Sequence, residues 1–310
     1  MHRTENDESE ARLQQDYVEG MIRLGIWYVR QLLASGHITE RHVHDALTRR
    51  VNIYRLTSLW DGVHDPACGF RDREWDRVVE RLVSLVQCFP LEQTAELEER
   101  ALALLRPWLR FVPEPSPQPA FGCWTYEVIG EGITDGPGLL GRLTNGRKIA
   151  QRLQRFVGLA TPERHVSLHF FNACAPQSPF CNVRTLACAL RALIRDCRRQ
   201  HPTVQMLWCQ SWLNSQPAFL ALFPETWRAS AVARTPADTD ARSCGRASLN
   251  THNWWGQFMR SDGGFHQERG RRFRESGGRF PFPNRLCHER IDEVDSFLAD
   301  VPSTDQNFSG

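Results

Sequence analysis

Residues 165–180 read HVSLHFFNACAPQSPF, and residues 204–227 read VQMLWCQSWLNSQPAFLALFPETW. Each stretch opens on an apolar, β-prone run and closes on polar residues. His169 and Asn172 close the first; Cys209, Gln210, Ser211, Trp212 and Asn214 close the second. Between them, Val183–Arg198 repeats Leu186, Leu190, Leu193, Ile194 and Cys197 at helical spacing. Strand, loop, helix and strand in that order predict parallel pairing with a right-handed crossover. Such a unit collects the carboxyl ends of its strands on one edge, where ligands bind. The functional site is expected at that edge.

The surrounding sequence extends this unit into a mixed α/β (α+β) domain. Phe121–Ile129 reads as a strand. The glycine-rich stretch GEGITDGPGLLG (130–141) leads to an expected helix over 146–157. Its pattern is neither the dinucleotide fingerprint nor a Walker loop with Lys-Ser/Thr. A short helix is expected at Pro217–Leu222 and a strand at Arg228–Val232. A polar loop follows over 235–251, then an aromatic stretch at Trp254–Met259. A basic helix at Gln267–Arg274 stops at Gly277-Gly278, and a last helix spans Glu289–Ala299.

The first third is helical. Leu13, Tyr17, Val18, Met21, Leu24, Tyr28 and Leu32 give a half-buried helix over 9–34, stopped by Gly36. A second helix is expected at Arg41–Leu59. A third is capped by Asp72 and carries Trp75, Val79, Leu82 and Val86 on one face. A fourth spans Gln93–Leu109 through Leu97, Ala101, Leu104 and Leu105. Four helices with short loops predict an antiparallel bundle. The alternating prolines of Pro113–Pro119 then predict an extended spacer. The expected domains are therefore a helical bundle at 1–112, a linker at 113–120, an α/β domain at 121–301 and a disordered tail at 302–310.

Composition narrows the function. A net charge of +2 over 310 residues gives no general field for nucleic acid or an acidic membrane. No apolar run reaches the roughly 20 residues that span a bilayer. The polar, acidic start MHRTENDESEAR argues against a secretory signal, so a cytoplasmic location is expected. The ten cysteines contain no C-x2-C pair, and the expectation is packed free thiols. The arginine run at 269–274 is read as a solvated helix face.

The block LHFFNACAPQSPF, LACALRALIRDC and WCQSWLNSQPAFLALFP resembles a divergent acyltransferase domain of the GNAT superfamily. It is most similar to bacterial proteins with a helical part before that domain. The matching residues are Leu168-His169, Pro176–Pro179, Ser211-Trp212-Leu213, Pro217 and Leu222-Phe223-Pro224. The likeness covers residues 120–285 loosely and 165–227 best. It implies a mixed sheet flanked by helices and acyl transfer from a thioester to an amine of a small molecule or amino-acid derivative. Acyl-coenzyme A or an acyl carrier protein would be the co-substrate, with pantetheine between two splayed strands and no metal. Ala175, Ser178, Phe180, Asn182 and Arg184 would then line the co-substrate site, the loop meeting pyrophosphate through backbone amides. That loop lacks the family's glycine run; Ala173, Ala175 and Ser178 are small enough for close approach.

Among catalytic candidates, His165 and His169 lie about 13 Å apart on a strand rising about 3.3 Å per residue, too far to share a metal. His169, nearer the strand end, is the candidate general base toward an amine, or a half-buried histidine bonded to backbone. Ser211 is either a proton donor to a leaving thiolate or a cap. Cys209 is either a nucleophile or a packed thiol of raised pKa. Asn172, Trp212, Asn214 and Trp254 are candidate substrate contacts, each with a capping or packing alternative. Two other functions compete. One is a metal-dependent oxygenase using His169 with His252, His266 or Glu127. The other is a non-catalytic partner or maturation protein that docks through the helical module.

Overall fold

The structure, a computed structural model, describes residues 5–66, 69–112, 119–129, 165–174, 178–233 and 255–299. The glycine-rich stretch, the helix expected at 146–157, most of the proline spacer, Ala175, the 235–251 loop, His252, Trp254 and the tail lie outside them. The helices are α1 (Glu5–Ala34), α2 (Arg73–Cys88), α3 (Thr94–Leu105), α4 (Val183–Gln200), α5 (Pro217–Leu220), α6 (Glu225–Ala229), α7 (Gln267–Glu275) and α8 (Ile291–Ala299). The strands are β1 (Trp124–Ile129), β2 (His165–Phe170), β3 (Met206–Ser211), β4 (Val232–Ala233) and β5 (Arg285–Arg290). Among the described residues, no helix is long and apolar enough to cross a membrane.

The chain forms two compact units. Unit 1 holds residues 1–115, 174–178 and 235–281. Its core is built on α1, where Met21, Ile22, Leu24, Ile26 and Val29 are all fully buried. Residues 24–29 are buried without a break, so over that stretch α1 is covered around most of its circumference, more than the half-buried helix its spacing predicts. Asp72 caps α2 by accepting from the Glu74 and Trp75 amides (2.9 and 3.0 Å). α3 ends at Leu105, where Pro107 turns the chain into a 3-10 segment (Arg106–Trp108).

The helix expected at Arg41–Leu59 does not form as one piece. Short helical turns at 40–50 end at Asn52, which has φ 45°, and a 3-10 turn follows at Ile53–Leu56. Asp65 holds that break, accepting from Asn52 Nδ2 (2.8 Å) and Arg55 Nε (2.6 Å). A left-handed asparagine interrupts the helix, and a buried carboxylate fixes it there.

Residues 255–281 also correct the expected division of the chain, because they pack with the N-terminal helices. Phe258, Phe265 and Phe273 belong to the same core as Trp27 and Tyr28, and Arg274 pairs with Glu98 (2.5 Å). The basic helix α7 satisfies its own charges: Glu268 reaches Arg271 and Arg272 (both 2.7 Å).

Unit 2 holds residues 116–173, 179–234 and 282–310. Its five-stranded mixed sheet has the order β1-β2-β3-β5-β4. β2 and β3 are parallel, as expected; the other neighbours are antiparallel. The strand expected at Arg228–Val232 is instead the end of α6 followed by the two-residue β4. β5 is a strand that the expected order lacks altogether. α4 and α8 cover one face, packing Leu190, Leu193, Ile194, Ile291 and Val294 on Val166, Leu168, Leu207, Cys209 and Cys287.

Candidate functional site

The feature that sets unit 2 apart is the junction of β2 and β3. Their parallel register runs His165–Met206, Val166–Leu207 and Ser167–Trp208, and ends there. Both strands continue for three more residues, β2 to Phe170 and β3 to Ser211. β2 remains paired with β1 along its whole length, and β3 with β5. The sheet therefore opens between β2 and β3 at their carboxyl ends.

Backbone alternation tells which groups face the opening. The Phe171 amide donates to the Cys123 carbonyl (3.1 Å), so odd-numbered residues of β2 bond β1 and even-numbered ones face β3. The Ile291 amide donates to the Gln205 carbonyl (2.8 Å), so even-numbered residues of β3 face β2. The next pair in line is the Leu168 carbonyl and the Gln210 amide. They point toward each other's strand where the ladder has ended.

Side chains alternate in the same way. On the covered face the opening is bordered by Leu168, Phe170, Cys209 and Ser211. Phe170 stacks on Phe180 (centroids 5.6 Å) and meets Trp124 and Phe219 edge-on (4.9 and 5.7 Å). On the other face the opening lies between His169 and Gln210. Glu127, on β1 beside Ser167, brings Oε2 to 3.9 Å from His169 Nε2; the side chains are 11% and 39% exposed respectively. Farther along that face, Trp208 stands between His165 and His288, each ring 5.1 Å away. Trp208 Nε1 and His288 Nδ1 are buried with no hydrogen-bond partner among the described residues. Burial lowers the His288 pKa below the usual histidine value.

The expected site residues divide by what they touch. His169 sits at the opening on the polar face. Ser211 is buried, and its Oγ accepts the Leu213 amide (3.1 Å), so it caps the following 3-10 turn. Cys209 is a core residue: it lies opposite Cys287, and burial drives its thiol far above the usual range. Cys287 is likewise pushed up to about 12 by burial. Burial at both positions works against a thiolate. Asn214 is also a structural group. Its amide donates to the Cys209 and Arg285 carbonyls (2.8 and 2.9 Å), and its oxygen accepts Trp227 Nε1 (3.1 Å). Trp212 stacks on Phe282 at 5.9 Å, and Asn172 lies half-buried just beyond β2.

Of the expected co-substrate residues, Asn182 caps α4 by accepting the Thr185 amide (2.9 Å), and Arg184 is exposed in the first turn. Phe180 belongs to the aromatic group at the opening. Ser178 is a unit 1 residue whose amide donates to the Ser261 carbonyl (3.1 Å). Of the groups at the opening, Trp208 is one that sequence reasoning did not name, while Gln210 entered only as a polar strand-end residue and Glu127 only as a possible metal ligand beside His169. Period-two alternation of MLWCQS and of WTYEVI was the available signal.

A shallow groove of about 550 Å³ on unit 1 runs along α2, lined by Glu74, Arg77, Val78, Arg81, Ser84 and Trp108. Its charges alternate along one helix, and it holds no nucleophile beside a base, so the opening in the unit 2 sheet is the stronger candidate. No known protein family, curated protein or solved structure matches this chain.

Proposed function

We propose that unit 2 is a GNAT-like N-acyltransferase domain whose acyl-thioester co-substrate enters between β2 and β3. The observation that supports this most is the parallel ladder that stops at Ser167–Trp208 while both strands run on. An extended arm with alternating amides, as in pantetheine, has the donors and acceptors to meet the Leu168 carbonyl and the Gln210 amide. The start of α4 follows β2 and carries the partial positive charge that suits the phosphate end of coenzyme A or of a carrier-protein arm.

The chemistry assigned to the opening is aminolysis of the thioester. His169 takes one proton from the ammonium of the acceptor. The freed amine attacks the thioester carbonyl, forming the C–N bond. The tetrahedral adduct collapses, the C–S bond breaks, and the sulfur leaves with the second nitrogen proton as a thiol. His169 then returns its proton to solvent. In this scheme Ser211 and Cys209 shape the opening and transfer no group.

The test is calorimetric titration with coenzyme A and acetyl-coenzyme A, followed by thiol release with a panel of amines and with an acyl carrier protein as alternative donor. Binding in the micromolar range with amine-dependent thiol release supports the reading. No binding of any acyl-coenzyme A or acyl carrier protein removes it.

A further inference from the structure

We infer that the acceptor is a cationic amine and that Glu127 is the residue that receives its ammonium group, an assignment resting on the acyl-transfer reading of the same opening. Glu127 is an almost buried carboxylate on the polar face of the sheet. Among the described residues its one ion-pair neighbour is His169, at 3.9 Å. That separation is too long for a direct hydrogen bond. It is the right span for a third group: an ammonium nitrogen can stand about 2.8 Å from both atoms at once, donating to the carboxylate and to the imidazole nitrogen.

The pair has a defined place in the sheet. Glu127 lies opposite Ser167 and diagonal to His169, positions whose side chains reach one another across an antiparallel ladder. His169 borders the opening, opposite the position of Gln210. A nitrogen held between Glu127 and His169 is therefore beside the gap through which the thioester is proposed to reach. Burying a carboxylate without a cation is costly, and an incoming ammonium relieves that cost, whereas an uncharged amine does not. Glu127 thus acts as the binding group for the acceptor's charge, beside the base that receives its proton.

The experiment compares an alkylamine, charged at neutral pH, with aniline, uncharged at neutral pH. Acetyl-coenzyme A is the donor and thiol release the readout, for wild-type protein and Glu127→Gln. Coenzyme A affinity is measured in parallel by calorimetry. The expected result is at least a tenfold rise in KM for the alkylamine in Glu127→Gln, with unchanged coenzyme A affinity and little change for aniline. Glu127→Asp keeps the charge but draws it back by one methylene. It is expected to give an intermediate rise, and it carries the test if the glutamine variant does not fold. Equal effects on both amines, or none, overturn the assignment while leaving acyl transfer standing. Wild-type protein that neither binds coenzyme A nor releases thiol overturns acyl transfer itself, and this assignment with it.

Discussion

Phe265 rests directly on Gly20. A methyl group added at Gly20 would lie 2.4 Å from the Phe265 ring, and one added at Gly270 would lie 2.8 Å from the ring's far end. The ring is seated between the only residue type that fits at either position. Gly20→Ala would raise helix propensity by about 1 kcal/mol, but the overlap with a packed aromatic ring outweighs it. The expected outcome is a net loss of about 1–3 kcal/mol in denaturant unfolding. Phe265→Leu combined with Gly20→Ala should recover part of that loss, because the two changes act on one contact.

Asn214 gives a second stability test. Replacing it with alanine leaves the Trp227 indole N–H without its buried acceptor and removes a donor from two carbonyls of neighbouring strands. Each buried group orphaned in this way costs about 1–3 kcal/mol. Asn214→Asp should be at least as damaging, since it sets a carboxylate oxygen against the Cys209 and Arg285 carbonyls. Thermal melting of both variants checks this; a melting temperature within a degree of wild type would sink the assignment.

The helices of unit 1 are legible in the sequence because their apolar spacing and the Asp72 cap are local signals. The stretch 41–59 is not, because its break depends on Asp65, a partner outside the stretch that holds Asn52 in a left-handed turn. The β2-α4-β3 unit is legible from two apolar runs around an amphipathic helix. β5 is not, since RLCHER mixes charge with apolar residues and is a strand because β3 pairs with it along six residues. His169 could be picked out by its place near a strand end. The closeness of Glu127 could not, because it depends on the register of β1 against β2, which no short pattern sets.

On the proposed acyl-transfer reading, His169→Ala should lower activity by about 10²–10⁴-fold while leaving the fold intact, because its side chain is 39% exposed and packs in neither core. Ser211→Ala should instead act on stability through the lost cap, by about 0.5–2 kcal/mol. Thiol-release kinetics beside unfolding curves separate the two. A variant of His169 with full activity would remove it from the chemistry.

Stability should fall in mild acid. Burial lowers the folded-state pKa of His288, and of His266 to a lesser burial. The unfolded chain then takes up protons below the ordinary histidine pKa of about 6.5 while the folded protein resists them. The loss is absent well above that pH and grows as pH falls through it. His288→Asn should flatten the dependence between neutral and mildly acidic pH, measured by urea unfolding at a series of pH values. An unchanged slope would show that His288 does not contribute.

Thiol reactivity should follow burial. Native protein treated with iodoacetamide should be alkylated at the exposed Cys88, Cys174, Cys181 and Cys188, with Cys123, Cys197, Cys209 and Cys287 protected until the protein is unfolded. Peptide mapping by mass spectrometry reads the pattern. Rapid native alkylation of Cys209 would restore it as a candidate nucleophile.

The placement of β5 governs how the chain can be made. It lies between β3 and β4 in the sheet, yet among the described residues it is the last strand in sequence. Unit 1 likewise takes Phe258, Phe265 and Phe273 into its core from beyond residue 250. During synthesis neither unit can close in order from its amino end: the nascent chain carries one unpaired edge of β3 and an open space beside Gly20 until the late segments emerge. Each unit must wait on contacts of long sequence separation, which slows folding and lengthens exposure of apolar surface.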